Sequence, residues 1–454
     1  MNKKTILFTL FVITLLMIGF VTFTFLGNNS LKTSKLKATV ISVKNDKIIV
    51  QDNSHIIYTF EVIDIDAQVG SNIIIEYTGV LDKNKNKQAC EVISYEISPV
   101  SSNEDIPSEW QDNGIFKDYY KVAYQILKGM SLDEKINQLL FVRYPGDTGK
   151  EVLKQYQFGG YVFYEKDFKD KTEKEVQEMM KELQQVSKIP ILTAVDEEGG
   201  KVIRISSNSN LVKEPFKSSK ELYLDGGLDA IKDDTIQKSK ILSNLGINVN
   251  LAPVVDVSTD PTDYIYDRSI GQDTSITSDY AKTVIEASKK DNVSYVLKHF
   301  PGYGNNSDTH TGSSIDTRSY EDILNNHLPP FEAGIEAGAE AILVSHNIVT
   351  SIDSSNPASL SISVHNLLRN ELNFTGIIIT DDLAMGAVSK TDDAVIEAIL
   401  AGNDLIITTN YESDISKIKV AISNGTISEN MIDKLAFRVI AWKYYKGLMF
   451  ETGK

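Results

Sequence analysis

The stretch GIIITDDLAM, residues 376–385, joins an apolar run of strand length to two carboxylates. Three isoleucines follow one another without the alternation of polar and apolar residues that a half-exposed strand shows. An uninterrupted β-branched run of this kind indicates a strand that is buried on both faces, as in a parallel sheet covered by helices. We therefore predict a buried strand here, with Asp381 and Asp382 directly after its carboxyl end.

Seven further apolar runs of strand length occur before and after this stretch. They are QLLFVRY (138–144), GYVFY (160–164), PILTAVDEEGG (190–200), VNLAPVVDV (249–257), SYVLKHFPG (294–302), AILVSHNIV (341–349) and DLIITT (404–409). Amphipathic charged stretches such as TEKEVQEMMKELQQVSK separate them, and Ser131 with Glu134 forms a capping box at one helix start. About eight strands alternating with helices over roughly 340 residues favour an α/β fold, a (β/α)8 barrel of the TIM type, over an open doubly wound sheet.

The N-terminal segment, residues 1–30, contains the uncharged run TILFTLFVITLLMIGFVTFTFLG. This run is long enough to cross the roughly 30 Å hydrocarbon core of a bilayer as a helix. Lys3 and Lys4 precede it, so we expect the rest of the chain to be exported to the extracytoplasmic face. No small-x-small cleavage site stands out after the run, which favours an uncleaved membrane anchor over a cleaved signal peptide and a secreted protein.

The remaining chain divides into three predicted parts. Residues 31–100 contain short β-branched runs such as KATVISV and NIIIEYTGVL between turn residues, which predicts a small all-β module acting as a spacer or docking unit. Residues 101–114 are polar with a proline and read as a linker, and residues 115–454 form the predicted barrel domain.

Composition excludes several classes of function. The net charge is -16, and basic residues are interleaved with a larger number of acids, which argues against a nucleic-acid partner. Cys90 is the only cysteine, so the chain has neither an intrachain disulfide nor a thiolate metal cage. No G-x-G-x-x-G follows the first predicted strand and no G-x-x-x-x-G-K-S/T occurs. The absence of both motifs argues against binding of a nucleotide cofactor. We expect no cofactor and a neutral or weakly charged ligand.

Polar residues collect where five predicted strands end. In a barrel these ends form the face that carries the active site. The residues are Asp196-Glu197-Glu198, Asp256, Lys298-His299, His346-Asn347 and Asp381-Asp382. A carboxylate fixed after a rigid strand suits a nucleophile that attacks the anomeric carbon of a sugar, as in retaining glycosidases. Asp381 is placed for this role and Asp382 could instead cap the next helix, but spacing alone does not decide between the two.

The stretch KHFPGYGNNSDTH, residues 298–310, offers an acid/base group. An imidazole gives and takes protons near neutral pH, and Asp308 could orient the ring of His310 and stabilise its protonated form. Glycines in the stretch suggest a mobile loop. A metal site formed by His299, Asp308 and His310 is the alternative. It is disfavoured because Lys298 would place a cation beside the metal and no further histidine cluster completes the site.

Five motifs together resemble the signatures of family 3 glycoside hydrolases. They are KHFPGYGNNSDTH, VDEEGGKVIR, LAPVVDVSTD…DRSIG, HLPPFEAGIEAG and ITDDLAMGAV. Within that family they look like the β-N-acetylhexosaminidase branch, which typically removes terminal N-acetylglucosamine from peptidoglycan fragments. The resemblance covers about residues 115 to 450 and includes neither the β module nor the apolar N-terminal segment.

The resemblance implies a role for each matching residue. Asp381 corresponds to the nucleophile, and Asp308 with His310 corresponds to the acid/base dyad. The sugar-binding positions fall on Asp196, Arg204, Arg268, Lys298 and His299. The implied activity is that of an exo-acting β-N-acetylglucosaminidase that retains anomeric configuration, with a carbohydrate substrate and no metal or organic cofactor.

The sequence departs from the family pattern in two places. Tyr303 stands where many relatives have histidine in P-G-H-G, and Lys201 stands where many have arginine. The chain ends soon after FRVIAWKYYKGLMF, so we expect no second α/β domain, which fits the branch with an Asp-x-His dyad.

Two alternatives to the hydrolase remain at this point. A histidine acid/base carries no permanent negative charge, so phosphate could replace water and the enzyme would be a phosphorylase. A protein of another class, a non-catalytic cell-wall-binding protein that uses its β module, is the second alternative.

Overall fold

The computed structural model describes residues 33–44, 47–52, 57–61, 67, 69–81, 90–98, 106–306, 308–309, 312, 314–389 and 391–450. The predicted membrane segment and His310 lie outside these ranges. Within the ranges, no helix combines the length and the apolar character needed to cross a membrane. The chain separates into two compact units that divide between residues 101 and 102. The predicted domain boundaries themselves stay a prediction.

The first unit contains an antiparallel sheet of five strands in the order β3-β2-β1-β4-β5 among its described residues. The strands are β1 Thr33–Lys44, β2 Lys47–Asp52, β3 Ile57–Glu61, β4 Asn72–Thr78 and β5 Glu91–Ser98. Alternate residues point to one face, so that Val40, Val50, Phe60 and Ile75 are buried in a common core. The prediction of an all-β structure in this part of the chain is confirmed.

The second unit contains the eight predicted barrel strands, all of which form. They are β6 Leu140–Arg143, β7 Gly160–Phe163, β8 Leu192–Val195, β9 Val249–Asn250, β10 Ser294–Phe300, β12 Ala341–Val344, β14 Ile377–Thr380 and β15 Ile406–Thr408. Their order is β14-β12-β10-β9-β8-β7-β6-β15, with parallel pairing between neighbours. One parallel bridge, Ile379 to Leu405, joins the two outer strands and nearly closes the barrel. Two short strands, β11 Ile315–Asp316 and β13 Ile348–Val349, pair beside it.

Helices connect and cover these strands. In the described part of the chain they are α1 Tyr120–Lys128, α2 Leu132–Gln138, α3 Gly149–Tyr156, α4 Glu165–Phe168, α5 Glu173–Val186, α6 Ser219–Asn244, α7 Thr274–Ser288, α8 Tyr320–Asp322, α9 Pro329–Glu336, α10 Ile362–Asn366, α11 Ala394–Ala401, α12 Tyr411–Ser423 and α13 Glu429–Tyr445. The capping box predicted at the start of α2 is confirmed, because Ser131 and Glu134 bond each other's backbone N–H groups. In the predicted linker, Trp110 is buried and contacts the rings of Tyr124 and Phe437.

The seam between β14 and β15 is held by a buried carboxylate at its base. Asp404 accepts hydrogen bonds from the backbone of Ile378 at 2.8 Å, from Arg369 at 2.6 Å and from Arg438 at 2.9 Å. A buried charge is tolerated only when partners of this kind offset its loss of water. The start of β14 is therefore fixed, and the other end of the same strand leads directly to Asp381.

Candidate active site

A cavity of about 290 Å³ lies at the carboxyl ends of the barrel strands. Six of the eight predicted site residues line it: Asp196, Arg204, Arg268, Lys298, His299 and Asp381. They come from distant parts of the sequence, since Asp196 and Asp381 are 185 positions apart. Closure of the barrel brings the strand ends together, as the fold rule for parallel barrels predicts.

Asp381 follows β14 and lies in the cavity wall as an ionised carboxylate. Burial by itself raises the pKa of this carboxyl, but the neighbouring His346, the backbone N–H of Asp382 and Lys298 contribute to an opposite effect that lowers the pKa overall. The Asp382 N–H donates to Asp381 Oδ1 at 2.9 Å. A charged, oriented oxygen at the end of a rigid strand has the properties of a nucleophile.

Asp382 also lines the cavity but differs in its surroundings. Burial raises the pKa of its carboxyl, and the backbone N–H of Ala384 donates to its Oδ1 at 2.9 Å. Its carbonyl oxygen lies 3.0 Å from Nε2 of His346. Asp382 therefore supports the local turn, while Asp381 has the more acidic carboxyl.

Glu198 organises two of the cations that line the cavity. Arg268 donates to it through Nε at 3.0 Å and through Nη2 at 2.7 Å, and Lys298 Nζ lies 2.7 Å away. Lys298 also bonds Asp196 Oδ1 at 2.7 Å. Burial raises the pKa of Glu198, but Arg268 and Lys298 more than compensate and hold the pKa well below its usual range. Glu198 belongs to the group of polar residues after β8, but the sequence analysis predicted no role for it.

His299 is fixed in one orientation by contacts to both of its ring nitrogens. Its Nδ1 lies 2.7 Å from Asp256 Oδ2, and its Nε2 lies 3.3 Å from Nη2 of Arg268. Because a guanidinium group only donates, we assign Nε2 as the acceptor and Nδ1–H as the donor to Asp256. Both nitrogens are engaged, which argues against His299 as a metal ligand. In the described residues no group of three or more His, Cys, Asp or Glu side chains is suited to hold a metal ion.

Arg204 reaches the cavity beside Tyr164 and Asp196. Its Nη2 lies 3.8 Å from Asp196 Oδ2, and its guanidinium lies 5.5 Å from the centre of the Tyr164 ring. Arg143 lies over the same ring at 4.1 Å. Neither Arg143 nor Tyr164 was predicted as a site residue, although both are the first polar side chains after apolar runs, the same signal that identified Asp196 and Asp381.

Asp308 lies near the cavity, whereas the position of His310 is not described. Asp308 is half-buried and hydrogen-bonds to Tyr264, a residue of the cavity wall. Thr309 also lines the cavity. The structure therefore brings the first two residues of the Asp-Thr-His segment to the site, and the pairing of Asp308 with His310 stays a prediction.

A Glu198→Gln variant tests the importance of the buried ion cluster. Glutamine keeps the shape but removes the charge that Arg268 and Lys298 share, and hydrogen bonds to charged groups are worth about 1.5–3 kcal/mol. We expect kcat/KM for the reaction catalysed at this site to fall about tenfold to 150-fold. The matched control is Glu182→Gln, which removes a pair between Lys150 and a half-exposed carboxylate. A loss no larger than that of the control would contradict the role of Glu198.

Comparison with known proteins identifies relatives of the second unit. The family model described as the glycosyl hydrolase family 3 N terminal domain matches residues 131–442. The beta-hexosaminidase LpqI of Mycobacterium tuberculosis is 31% identical over 269 residues, which are 56% of this chain and 68% of that protein. The structure of M. tuberculosis LpqI superimposes with a TM-score of 0.64 and 28% identity, covering 70% of this chain and 95% of that one.

A longer protein is similar over the same region. It is a glycoside hydrolase family 3 beta-N-acetylglucosaminidase from Paenibacillus sp. str. FPU-7, with a TM-score of 0.66 and 27% identity. The match covers 70% of this chain and 63% of the Paenibacillus chain, so less than two thirds of that protein is represented here.

Proposed function

Because this chain belongs to glycosyl hydrolase family 3, we propose that it is a retaining exo-β-N-acetylglucosaminidase acting on peptidoglycan fragments or related glycans. The prediction of an enzyme, a glycoside hydrolase, is confirmed by the family match and by relatives that are beta-hexosaminidases. Family membership also argues against the non-catalytic wall-binding alternative. The observation that supports the proposal most strongly is the acidic Asp381 carboxylate in a cavity where Asp196, Arg268 and Lys298 are held in ion pairs.

The size and lining of the cavity suit a single uncharged sugar. A volume of about 290 Å³ is at the lower end of the range of ligand sites, about 300–1,000 Å³. Asp196 can accept hydrogen bonds from sugar hydroxyls, while Arg204, Arg268 and Lys298 can donate them. Because Lys298 and Arg268 are already neutralised by carboxylates, the site offers directed hydrogen bonds without a large excess of charge. This arrangement supports binding of one terminal residue, and therefore exo action.

The reaction we propose proceeds in two steps through a covalent intermediate. Asp381 attacks the anomeric carbon, and the bond to the leaving oxygen breaks as His310 protonates that oxygen. The resulting glycosyl ester on Asp381 is then attacked by water, from which His310 removes a proton. Asp308 stabilises the protonated imidazole. Two inversions at the anomeric carbon give a product with the configuration of the substrate.

Product analysis tests this proposal directly. The enzyme is incubated with 4-nitrophenyl N-acetyl-β-glucosaminide in deuterated buffer, and proton NMR identifies the anomer that forms first. We expect free N-acetylglucosamine, initially as the β anomer. First appearance of the α anomer would disprove retention. Sugar 1-phosphate in phosphate buffer would instead establish the phosphorylase alternative. Muropeptides and chitobiose, analysed by mass, then distinguish peptidoglycan fragments from other glycans.

The extracytoplasmic location and the membrane anchor remain part of the proposal. They are supported by the apolar run in residues 1–30 and the two lysines before it, which lie outside the described residues. Peptidoglycan fragments as substrates are consistent with that location.

A further inference from the structure

We propose that Tyr303 is a positioning residue, whose hydroxyl fixes Thr309 and thereby the segment that carries Asp308 and the acid/base residue. This inference rests on the proposed function, because it assigns to the Asp-Thr-His segment the proton transfer of that mechanism. Tyr303 is one of the two positions at which the sequence departs from the family pattern.

The contact between Tyr303 and Thr309 is double and fully buried. The backbone N–H of Thr309 donates to Tyr303 Oη at 2.9 Å, and Thr309 Oγ1 lies 2.8 Å from the same hydroxyl. Tyr303 is 2% exposed and Thr309 is 0% exposed. Hydrogen bonds shielded from water are stronger and more directional than exposed ones. The phenol therefore holds both the main chain and the side chain of the residue directly after Asp308.

Thr309 is also bound by the segment that follows the proposed nucleophile. The backbone N–H of Ala387 donates to the Thr309 carbonyl at 3.1 Å, and Ala387 follows Asp381 by six positions. Thr309 is thereby connected to the segment after the proposed nucleophile. Correct distance between nucleophile and acid is a requirement of the reaction, because misplacement by about 1 Å can cost about 10²-fold in rate.

Tyr303 is itself held by residues of the sugar-binding wall. Its backbone N–H donates to Asp256 Oδ1 at 2.5 Å, and the other oxygen of Asp256 binds His299. The Tyr303 ring lies 5.6 Å from the His299 ring and 5.6 Å from the Tyr264 ring, and Tyr264 hydrogen-bonds to Asp308. Tyr303 thus connects His299, a predicted sugar-binding residue, rigidly to the acid/base segment.

One arginine contacts both Gly302 and Asp316, which begin and end the loop that carries Thr309. Arg318 donates through Nη2 to the Gly302 carbonyl at 2.6 Å and through Nε to Asp316 at 3.0 Å. The guanidinium lies so close to Gly304, whose φ is +57°, that a side chain there would collide with it. With both ends held, the Tyr303 hydroxyl can determine where the middle of the loop lies. An imidazole at position 303 is shorter than a phenol and carries no hydroxyl, so it could not make the same contact.

The test compares Tyr303→Phe with wild type on two substrates in the full-length chain. Tyr303→Phe keeps the ring and removes only the hydroxyl. We expect kcat/KM to fall at least about tenfold more for chitobiose, whose leaving group needs protonation, than for an aryl glycoside with a good leaving group. Thr309→Val, which removes the partner hydroxyl, should change the ratio in the same direction and serves if Tyr303→Phe does not fold.

The matched control is Tyr161→Phe, which removes a buried hydroxyl that donates to the Gly149 carbonyl at 2.9 Å. We expect it to leave the ratio between the two substrates unchanged. An equal loss on both substrates for Tyr303→Phe, or a change in KM alone, would overturn the inference and leave the proposed function intact. If wild type hydrolyses neither substrate, the proposed function fails, and the inference fails with it.

Discussion

Replacement of Asp381 by alanine is expected to lower kcat for aryl N-acetyl-β-glucosaminides by on the order of 10⁴-fold or more, as removal of a covalent nucleophile does in other enzymes. Without the carboxylate no glycosyl-enzyme can form, and the second step has no substrate. Initial rates with the 4-nitrophenyl glycoside measure the loss. The buried cavity around residue 381 should stay formed, because β14 is fixed at its other end by Asp404.

Azide and a neighbouring carboxylate provide the controls for this result. In Asp381→Ala, azide can enter the vacated space and attack the anomeric carbon, giving a glycosyl azide of inverted configuration. Asp382→Asn is the matched variant, because asparagine keeps an oxygen that can accept from the Ala384 N–H. We expect it to lose less than about 10²-fold. A larger loss in Asp382→Asn than in Asp381→Ala would assign the nucleophile to Asp382.

Replacement of His310 by alanine is expected to have the second largest effect, and one that depends on the substrate. General acid catalysis contributes about 10²–10⁴-fold, so kcat/KM for chitobiose should fall by that amount. Leaving groups as acidic as 2,4-dinitrophenol need little protonation, and for these we expect a loss of less than about tenfold in kcat/KM. This parameter reports the first irreversible step and is therefore independent of the role of His310 in the second.

The comparison across leaving groups decides between an acid and a structural residue. A folding defect in His310→Ala would reduce activity by the same factor for every leaving group, and that outcome would contradict the acid assignment. Asp308→Asn should show the same substrate dependence with a smaller amplitude, because the imidazole remains but its protonated form is less stable. Azide rescue of Asp381→Ala, together with this substrate dependence, would separate the two catalytic roles.

Much of the fold follows from local sequence patterns. Uninterrupted apolar runs such as residues 377–379 predicted all eight barrel strands, because burial on both faces leaves no position for a polar residue. The first polar side chains after those runs include five residues of the cavity wall, namely Asp196, Lys298, His299, Asp381 and Asp382. The same rule, applied to Arg143 and Tyr164, would have found two more wall residues. The choice of Asp381 over Asp382 as nucleophile came from resemblance, whereas the acid/base role of His310 with Asp308 was also argued from their chemistry, and these roles remain to be tested.

The sequence by itself therefore determined which side chains stand at the strand ends of this protein, but only the tertiary structure decided how they pair. Glu198 binds Arg268 and Lys298, which follow it by 70 and 100 positions, and His299 takes its tautomer from Asp256 and Arg268. Local sequence patterns indicate burial, because the residues of each segment by themselves show whether it is buried. Hydrogen bonds and ion pairs depend on distances of about 3 Å between segments, and these exist only when the barrel closes.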